Sequence, residues 1–212
     1  MHPAWGLVLG YVLGSIPFAY LAGRARGVDL RKHGSGNLGA TNAVRVLGAR
    51  VGGVVYLLDT LKGFAAAFAL PRVLGVQPGG AWAIAFGVAA VAGHVRPLFL
   101  RFQRGGKGVA TAGGVFFGLA PQAAAATFVV FALVLAATGY ASVGSMTAAV
   151  TLPFAIVVLQ RGASAELIAA AVAMAVFVFW AHRANIGRLR RGEEHRFDIL
   201  RRRRTPATGS GR

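Results

Sequence analysis

Three polar segments of this chain combine glycine, hydroxyl, amide and basic side chains at a density that simple connectors between helices do not need. The first is Gly34-Ser35-Gly36-Asn37-Leu38-Gly39-Ala40-Thr41-Asn42-Ala43-Val44-Arg45. Its glycines allow backbone N–H groups to approach an anion closely, and Arg45 offers a planar pair of donors. A tight glycine turn followed by an asparagine-capped helix would explain the glycines but not the arginine. Phosphate is the anion that fits this set of donors.

The second segment runs from Gly93-His94-Val95-Arg96-Pro97 to Arg104-Gly105-Gly106-Lys107-Gly108-Val109-Ala110-Thr111. It is not a nucleotide-binding P-loop, because Gly108 follows the lysine and no strand precedes it. What it shares with such loops is backbone amides and an ammonium at a helix amino terminus. His94 reads either as a partner in an interhelical hydrogen bond or as a direct participant. The third segment is split between Thr138–Ser145 and Trp180–Leu189, with Gly192-Glu193-Glu194 beyond. His182 and Asn185 stand three apart, so on a helix they share a face and together suit a hydroxyl and a phosphate.

The elements that position these segments are set by composition. The chain is 56% hydrophobic and 14% charged, too apolar for an ordinary soluble domain. Seven apolar runs approach the length of a membrane helix: Ala4–Ala22, Val51–Leu70, Gly80–Gly93, Gly108–Ala120, Gln122–Ala137, Ser145–Leu159 and Glu166–Ala181. The first lacks a basic leader region and reads as a retained helix. Asp59 and Lys62 stand three apart inside the second run, where charges are costly unless paired, so an internal ion pair is expected there.

Alternate loops are basic. One side carries Arg24, Arg26, Arg31, Lys32, Arg45 and Arg50, then Arg96, Arg101, Arg104 and Lys107, then the stretch from Arg183 to Arg204. The other side carries Arg72 and Arg161. The positive-inside rule then puts the amino terminus outside and the carboxyl tail in the cytoplasm, which requires an odd number of spans. The expected fold is therefore an all-α integral membrane protein with seven transmembrane helices. Residues 1–200 read as one polytopic domain and 201–212 as a basic, disordered tail. The net charge of +17 is explained by this topology, and a nucleic-acid partner is not expected because the basic residues lie between apolar spans. Cysteine is absent, which removes thiol nucleophiles and cysteine metal ligands.

Read in order, the motifs resemble the bacterial acyl-phosphate:glycerol-3-phosphate acyltransferase family. The resemblance rests on Gly34–Arg45, on Asp59-Thr60-Leu61-Lys62-Gly63, on Gly93–Pro97, on Gly105–Thr111, and on His182–Leu189 with Gly192–Glu194. Two departures stand out: Arg96 occupies a place where an apolar aromatic is expected before Pro97, and Gly139 a place where many relatives carry a basic residue. The resemblance implies a seven-helix enzyme of the bacterial inner membrane with its site facing the cytoplasm. It would move a fatty acyl group from acyl phosphate to the sn-1 hydroxyl of glycerol 3-phosphate, with functional coupling to the enzyme that makes acyl phosphate.

On that resemblance the catalytic set is Ser35, Arg45, Lys107, His182 and Asn185. Substrate phosphates would be held by Gly34, Ser35, Gly36, Asn37, Thr41, Asn42 and Arg45, and by Gly105, Gly106, Lys107 and Gly108. Ser142 or Ser145 would add a hydrogen bond, His182 and Asn185 would orient glycerol 3-phosphate, and Glu194 would join Asp59 and Lys62 in structural roles. An acyl phosphate carries a good leaving group, so direct attack needs alignment and charge stabilisation more than a covalent intermediate. No cofactor is expected, and no carboxylate or histidine cluster suits a catalytic metal. The rival reading is a membrane transporter for an organic anion, whose inverted repeat this sequence lacks. The H-x-x-x-x-D pattern of other glycerolipid acyltransferases is absent too.

Overall fold

The computed structural model describes residues 2–197, and every regular element among them is helical. The tail expected beyond residue 200 lies outside these residues. The first apolar run is broken in two, α1 (Ala4–Gly14) and α2 (Phe18–Arg24). Pro17 lacks an N–H and disfavours helix at Ile16, so the break falls between them. The carbonyl of Ile16 accepts from the Phe18 N–H at 3.2 Å across the break, and the buried Lys62 ammonium donates to it at 2.9 Å. Gly6, Gly10 and Gly14 form a stripe on α1 against α6 (Ala81–Val95). A Cβ at Gly14 would lie 2.0 Å from the Ala90 carbonyl oxygen, so the two backbones touch as small residues permit in membrane bundles.

The short amphipathic helix α3 (Ala40–Leu47) carries the end of the first glycine motif and packs on α4 (Ala49–Phe64). A π-helical turn at Ala65–Ala69 leads from α4 into α5 (Leu70–Val73), the wider turn accommodating Pro71 without its missing donor. After α6, a 3₁₀ turn at Leu98–Leu100 begins the loop to α7 (Val109–Leu119). The hairpin α8 (Pro121–Thr138) and α9 (Ala141–Leu159) follows, then α10 (Ala165–Ala181), bent by 54° into α11 (Arg183–Arg190).

Five helical stretches among the described residues are long and apolar enough to cross a membrane, or six if the bent α10–α11 pair is one span. The run expected over Gly108–Ala120 forms the shortest of the seven. Helix α7 has 11 residues, about 16 Å, against the roughly 30 Å of a hydrocarbon core. The shortfall arises at its amino end, where residues 103–108 stay out of the helix. Gly108 takes a left-handed φ of +82° as its cap. At the other end, Gln160 Nε2 donates to the Leu119 carbonyl at 3.2 Å, tying α7 to the far end of α9. The second motif is thereby drawn into the body of the protein.

Candidate active site

The first motif is organised by Asn42, which is fully buried. Its Oδ1 accepts from the Ser35 N–H at 2.9 Å, and its Nδ2 donates to the carbonyls of Leu30 and His33 at 3.1 Å each. Asn42, expected to bind substrate, lines the cavity while both ends of its amide are engaged in shaping the loop. Gly34 turns with φ +60°, and a Cβ there would lie 2.3 Å from Asn42 Oδ1, so only glycine admits this contact. Ser35, Asn37, Thr41 and Arg45 are left facing a common cavity.

The second motif uses its glycines differently from the expected amide cradle. Gly105 N–H donates to the Val95 carbonyl at 3.0 Å and Gly106 N–H to that of His94 at 3.2 Å, so these two amides are not free for a phosphate. Both glycines allow the loop to press against the end of α6: a Cβ at Gly106 would stand 2.0 Å from His94 Nε2. Beneath them, His94 Nδ1 lies 3.4 Å and Lys62 Nζ 2.8 Å from the same Asp59 carboxylate oxygen. The expected Asp59–Lys62 pair is thus a three-residue cluster under the loop. Lys107 reaches the cavity and donates to Asn185 Oδ1. Burial lowers its pKa to about 8; Glu194 opposes this, while Arg188, Arg104 and Arg45 reinforce it.

The third motif sits at the α10–α11 bend. His182 Nδ1 lies 2.8 Å from the Val178 carbonyl. A carbonyl only accepts, so Nδ1 carries the proton and the lone pair of neutral His182 is on Nε2. One helical turn on, Asn185 Nδ2 donates to Glu194 Oε1 at 2.5 Å. The same oxygen accepts from Ser142 Oγ at 2.9 Å, and Oε2 accepts from Arg188 Nε at 2.7 Å. Burial pushes the Glu194 carboxyl up, but the hydrogen bonds from Asn185, Arg188 and Ser142 outweigh it and hold the carboxyl below its ordinary range. Ser142 and Ser145 were both expected to offer a hydrogen bond. Their hydroxyl protons are committed, Ser142 to Glu194 and Ser145 to the Ala141 carbonyl at 2.8 Å, which leaves each oxygen only as an acceptor.

These pieces enclose a cavity of about 430 Å³ walled by residues of all three motifs, among them Ser35, Arg45, Lys107, His182, Asn185 and Glu194. Gly34, Gly36, Gly105 and Gly106 lie outside its wall and act through packing, and Lys62, also outside it, acts through Asp59. Arg188 and Phe197 belong to the wall without having been singled out. Arg188 was legible, three residues beyond Asn185 on one helical face; nothing in the sequence marks Phe197. A second space of about 90 Å³, lined by Phe116, Phe117, Phe128, Leu152, Met174 and Val178, is apolar. Tyr56, Val109, Phe131 and Ser145 line both spaces, so the slot adjoins the polar cavity. Of the two departures, Arg96 is not among the lining residues, its guanidinium donating to the Phe102 carbonyl at 3.5 Å. Gly139 holds φ +75° at the α8–α9 turn. Among the described residues no group of three or more His, Cys, Asp or Glu is placed to hold a metal ion.

The glycerol-3-phosphate acyltransferase family model matches residues 4–192. A glycerol-3-phosphate acyltransferase of Geotalea daltonii is 44% identical over 197 residues, covering 90% of this chain and 96% of the relative. One of Myxococcus xanthus is 45% identical over 195 residues, covering 90% and 97%. Two crystal structures of PlsY, an integral membrane glycerol 3-phosphate acyltransferase, share the fold. Its glycerol 3-phosphate form superposes with a TM-score of 0.86 at 38% identity, covering 94% of this chain and 98% of that one. Its lysophosphatidic acid form gives a TM-score of 0.83 at 36% identity, covering 94% and 97%.

Proposed function

The chain belongs to the glycerol-3-phosphate acyltransferase family, and from that premise we propose that it transfers a fatty acyl group from acyl phosphate to the sn-1 hydroxyl of glycerol 3-phosphate. The observation that carries this reading is the junction of a cationic cavity with an apolar slot at Tyr56, Val109, Phe131 and Ser145. Phosphate groups match Arg45, Lys107 and Arg188; an acyl chain matches the slot; the reacting carbonyl then lies between them, near His182.

In the reaction, the glycerol hydroxyl oxygen attacks the acyl carbon and a new C–O ester bond forms. The bond from that carbon to the phosphate oxygen breaks, releasing inorganic phosphate. The hydroxyl proton passes to His182 Nε2, the ring nitrogen left unprotonated by the Val178 contact. Lys107 and Arg45 hold phosphate charge, while Asn185 and Glu194 keep Lys107 and Arg188 in place. Ser35, whose backbone is pinned by Asn42, offers its hydroxyl and Asn37 and Thr41 offer polar groups to the same substrate.

The donor is testable. Purified protein in detergent is expected to form 1-acylglycerol 3-phosphate from acyl phosphate and glycerol 3-phosphate, and acyl-CoA is expected to be a poor substitute, since the cavity has no recognisable adenine site. Comparable turnover with acyl-CoA under matched conditions would overturn the donor assignment.

The seven-segment topology belongs to the same proposal, with the amino terminus outside, α7 completing the count as a short segment, and the site facing the cytoplasm of an inner membrane. The loop charges support it. The absence of native cysteine makes labelling direct: a cysteine at position 36 is expected to be reactive only from the cytoplasmic side, and one at Gln77 or Gly162 only from outside. Modification at position 36 by an impermeant reagent in intact cells would reverse the orientation. Enzymes that make acyl phosphate at the same face are the coupled partners this placement implies.

A further inference from the structure

The chain does not leave the site after α11. Residues 193–197 cross from α11 to the α8–α9 turn, where Arg196 Nε donates to the Thr138 carbonyl at 3.0 Å and Phe197 N–H to that of Gly139 at 2.8 Å. The crossing requires glycine beneath it. A Cβ at Gly139 would lie 2.6 Å from Arg196 Cγ and 2.8 Å from the Phe197 carbonyl oxygen. This is one of the two positions at which a departure from the family pattern is expected from the sequence. At the end of the strap, the Phe197 ring lies 5.2 Å from the Arg45 guanidinium carbon, and both residues line the cavity.

We propose that Phe197 is a positioning residue for Arg45, and that Gly139 is the seat that brings it there. The inference rests on the reading that Arg45 holds a substrate phosphate. An arginine on a short surface helix has many rotamers, and its side chain must be ordered before it can grip a phosphate through two donors. The face of an aromatic ring attracts the guanidinium and holds its plane while leaving its N–H edge free. Here that ring is itself anchored by a backbone hydrogen bond to the α8–α9 turn, so the two halves of the cavity rim meet through one cation–π pair.

Steady-state kinetics test this. F197A and F197L are each expected to raise the Michaelis constant for a phosphorylated substrate about threefold to tenfold, with turnover within about twofold of wild type, whereas F197Y and F197W keep the wild-type constant. In an R45A background, F197A is expected to add nothing, because the group it positions is gone. G139R is expected to reproduce the F197A effect by unseating the strap. Wild-type behaviour of F197L would show that the ring face is not what matters, and an additive effect of F197A on R45A would show that it acts elsewhere; either overturns the proposal. Wild-type affinity in G139R would remove the seat from it. If R45A itself leaves both Michaelis constants unchanged, the phosphate role of Arg45 fails first, and that failure is visible before any Phe197 variant is made.

Discussion

His182→Ala lowers turnover by about two to four orders of magnitude while the Michaelis constants for both substrates stay within about threefold of wild type, as expected for loss of a general base. The imidazole is held at Nδ1 by the Val178 carbonyl, so it presents one defined lone pair and no permanent charge to the cavity. A group so arranged contributes when a proton moves and little when a phosphate simply binds. Lys107→Ala supplies the contrast. It removes an ammonium donated toward Asn185 in the cavity wall, and loss of one charge-assisted hydrogen bond, about 1.5–3 kcal/mol, raises a Michaelis constant by roughly one to two decades.

The two residues separate again with pH. An amine is charged below its pKa, so with Lys107 lowered to about 8 the free enzyme loses this positive charge as pH climbs through that value. Turnover per unit of free substrate, kcat/KM, therefore falls above pH 8, and Lys107→Arg, whose guanidinium stays charged, removes that limb. Kinetics of membrane-inserted variants check both statements. Near-normal turnover in His182→Ala would move the proton to an oxygen of a substrate phosphate instead.

How much of this was legible in the sequence depended on what kind of interaction was involved. Motif neighbourhood was legible: loops rich in Gly, Ser, Asn and Arg on one charged side of alternating spans converge because alternate loops of a helical bundle lie at one end. Hydrogen-bond commitment was not. Asn42 looks like a ligand and spends its amide on Leu30, His33 and Ser35. Gly105 and Gly106 look like a phosphate cradle and donate to α6. In both cases residue type declares capacity, and only the fold shows which partner takes it up. The length of α7 was legible, since the apolar run Gly108–Ala120 ends within one residue of the helix at each side, but not that the loop before it is held by those same glycine contacts. The Gly6, Gly10 and Gly14 stripe was available in the sequence as a small-residue pattern and marks the α1–α6 contact. Phe197 had no local signal, because its role comes from a turn more than fifty residues earlier in the chain.

The largest effect on stability is expected beneath the second motif. Lys62→Met leaves the Asp59 carboxylate buried with only His94 beside it, and Asp59→Ala leaves the Lys62 ammonium buried with only the Ile16 carbonyl. Removing one member of a buried pair strands the other, at about 3–5 kcal/mol, so each single variant is expected to show a marked fall in thermal midpoint in detergent. The double variant Asp59→Asn/Lys62→Met removes both charges and is expected to recover most of that loss. It does not recover all of it. The break at Pro17 leaves the Ile16 carbonyl with only the Phe18 N–H at 3.2 Å, and Lys62 supplies its shorter hydrogen bond at 2.9 Å. Loss of a hydrogen bond from a charged donor costs about 1.5–3 kcal/mol, which is the residual deficit expected in the double variant. Restoring a donor as Asp59→Asn/Lys62→Gln should narrow that deficit. A midpoint unchanged in Lys62→Met would contradict the whole account, and equal deficits in the single and double variants would show that Asp59 and Lys62 do not compensate one another. The cluster also explains why charges are tolerated in this span: the ammonium neutralises Asp59 and closes a proline-made gap in α1–α2, while His94 links the same carboxylate to the loop that presents Lys107 to the cavity.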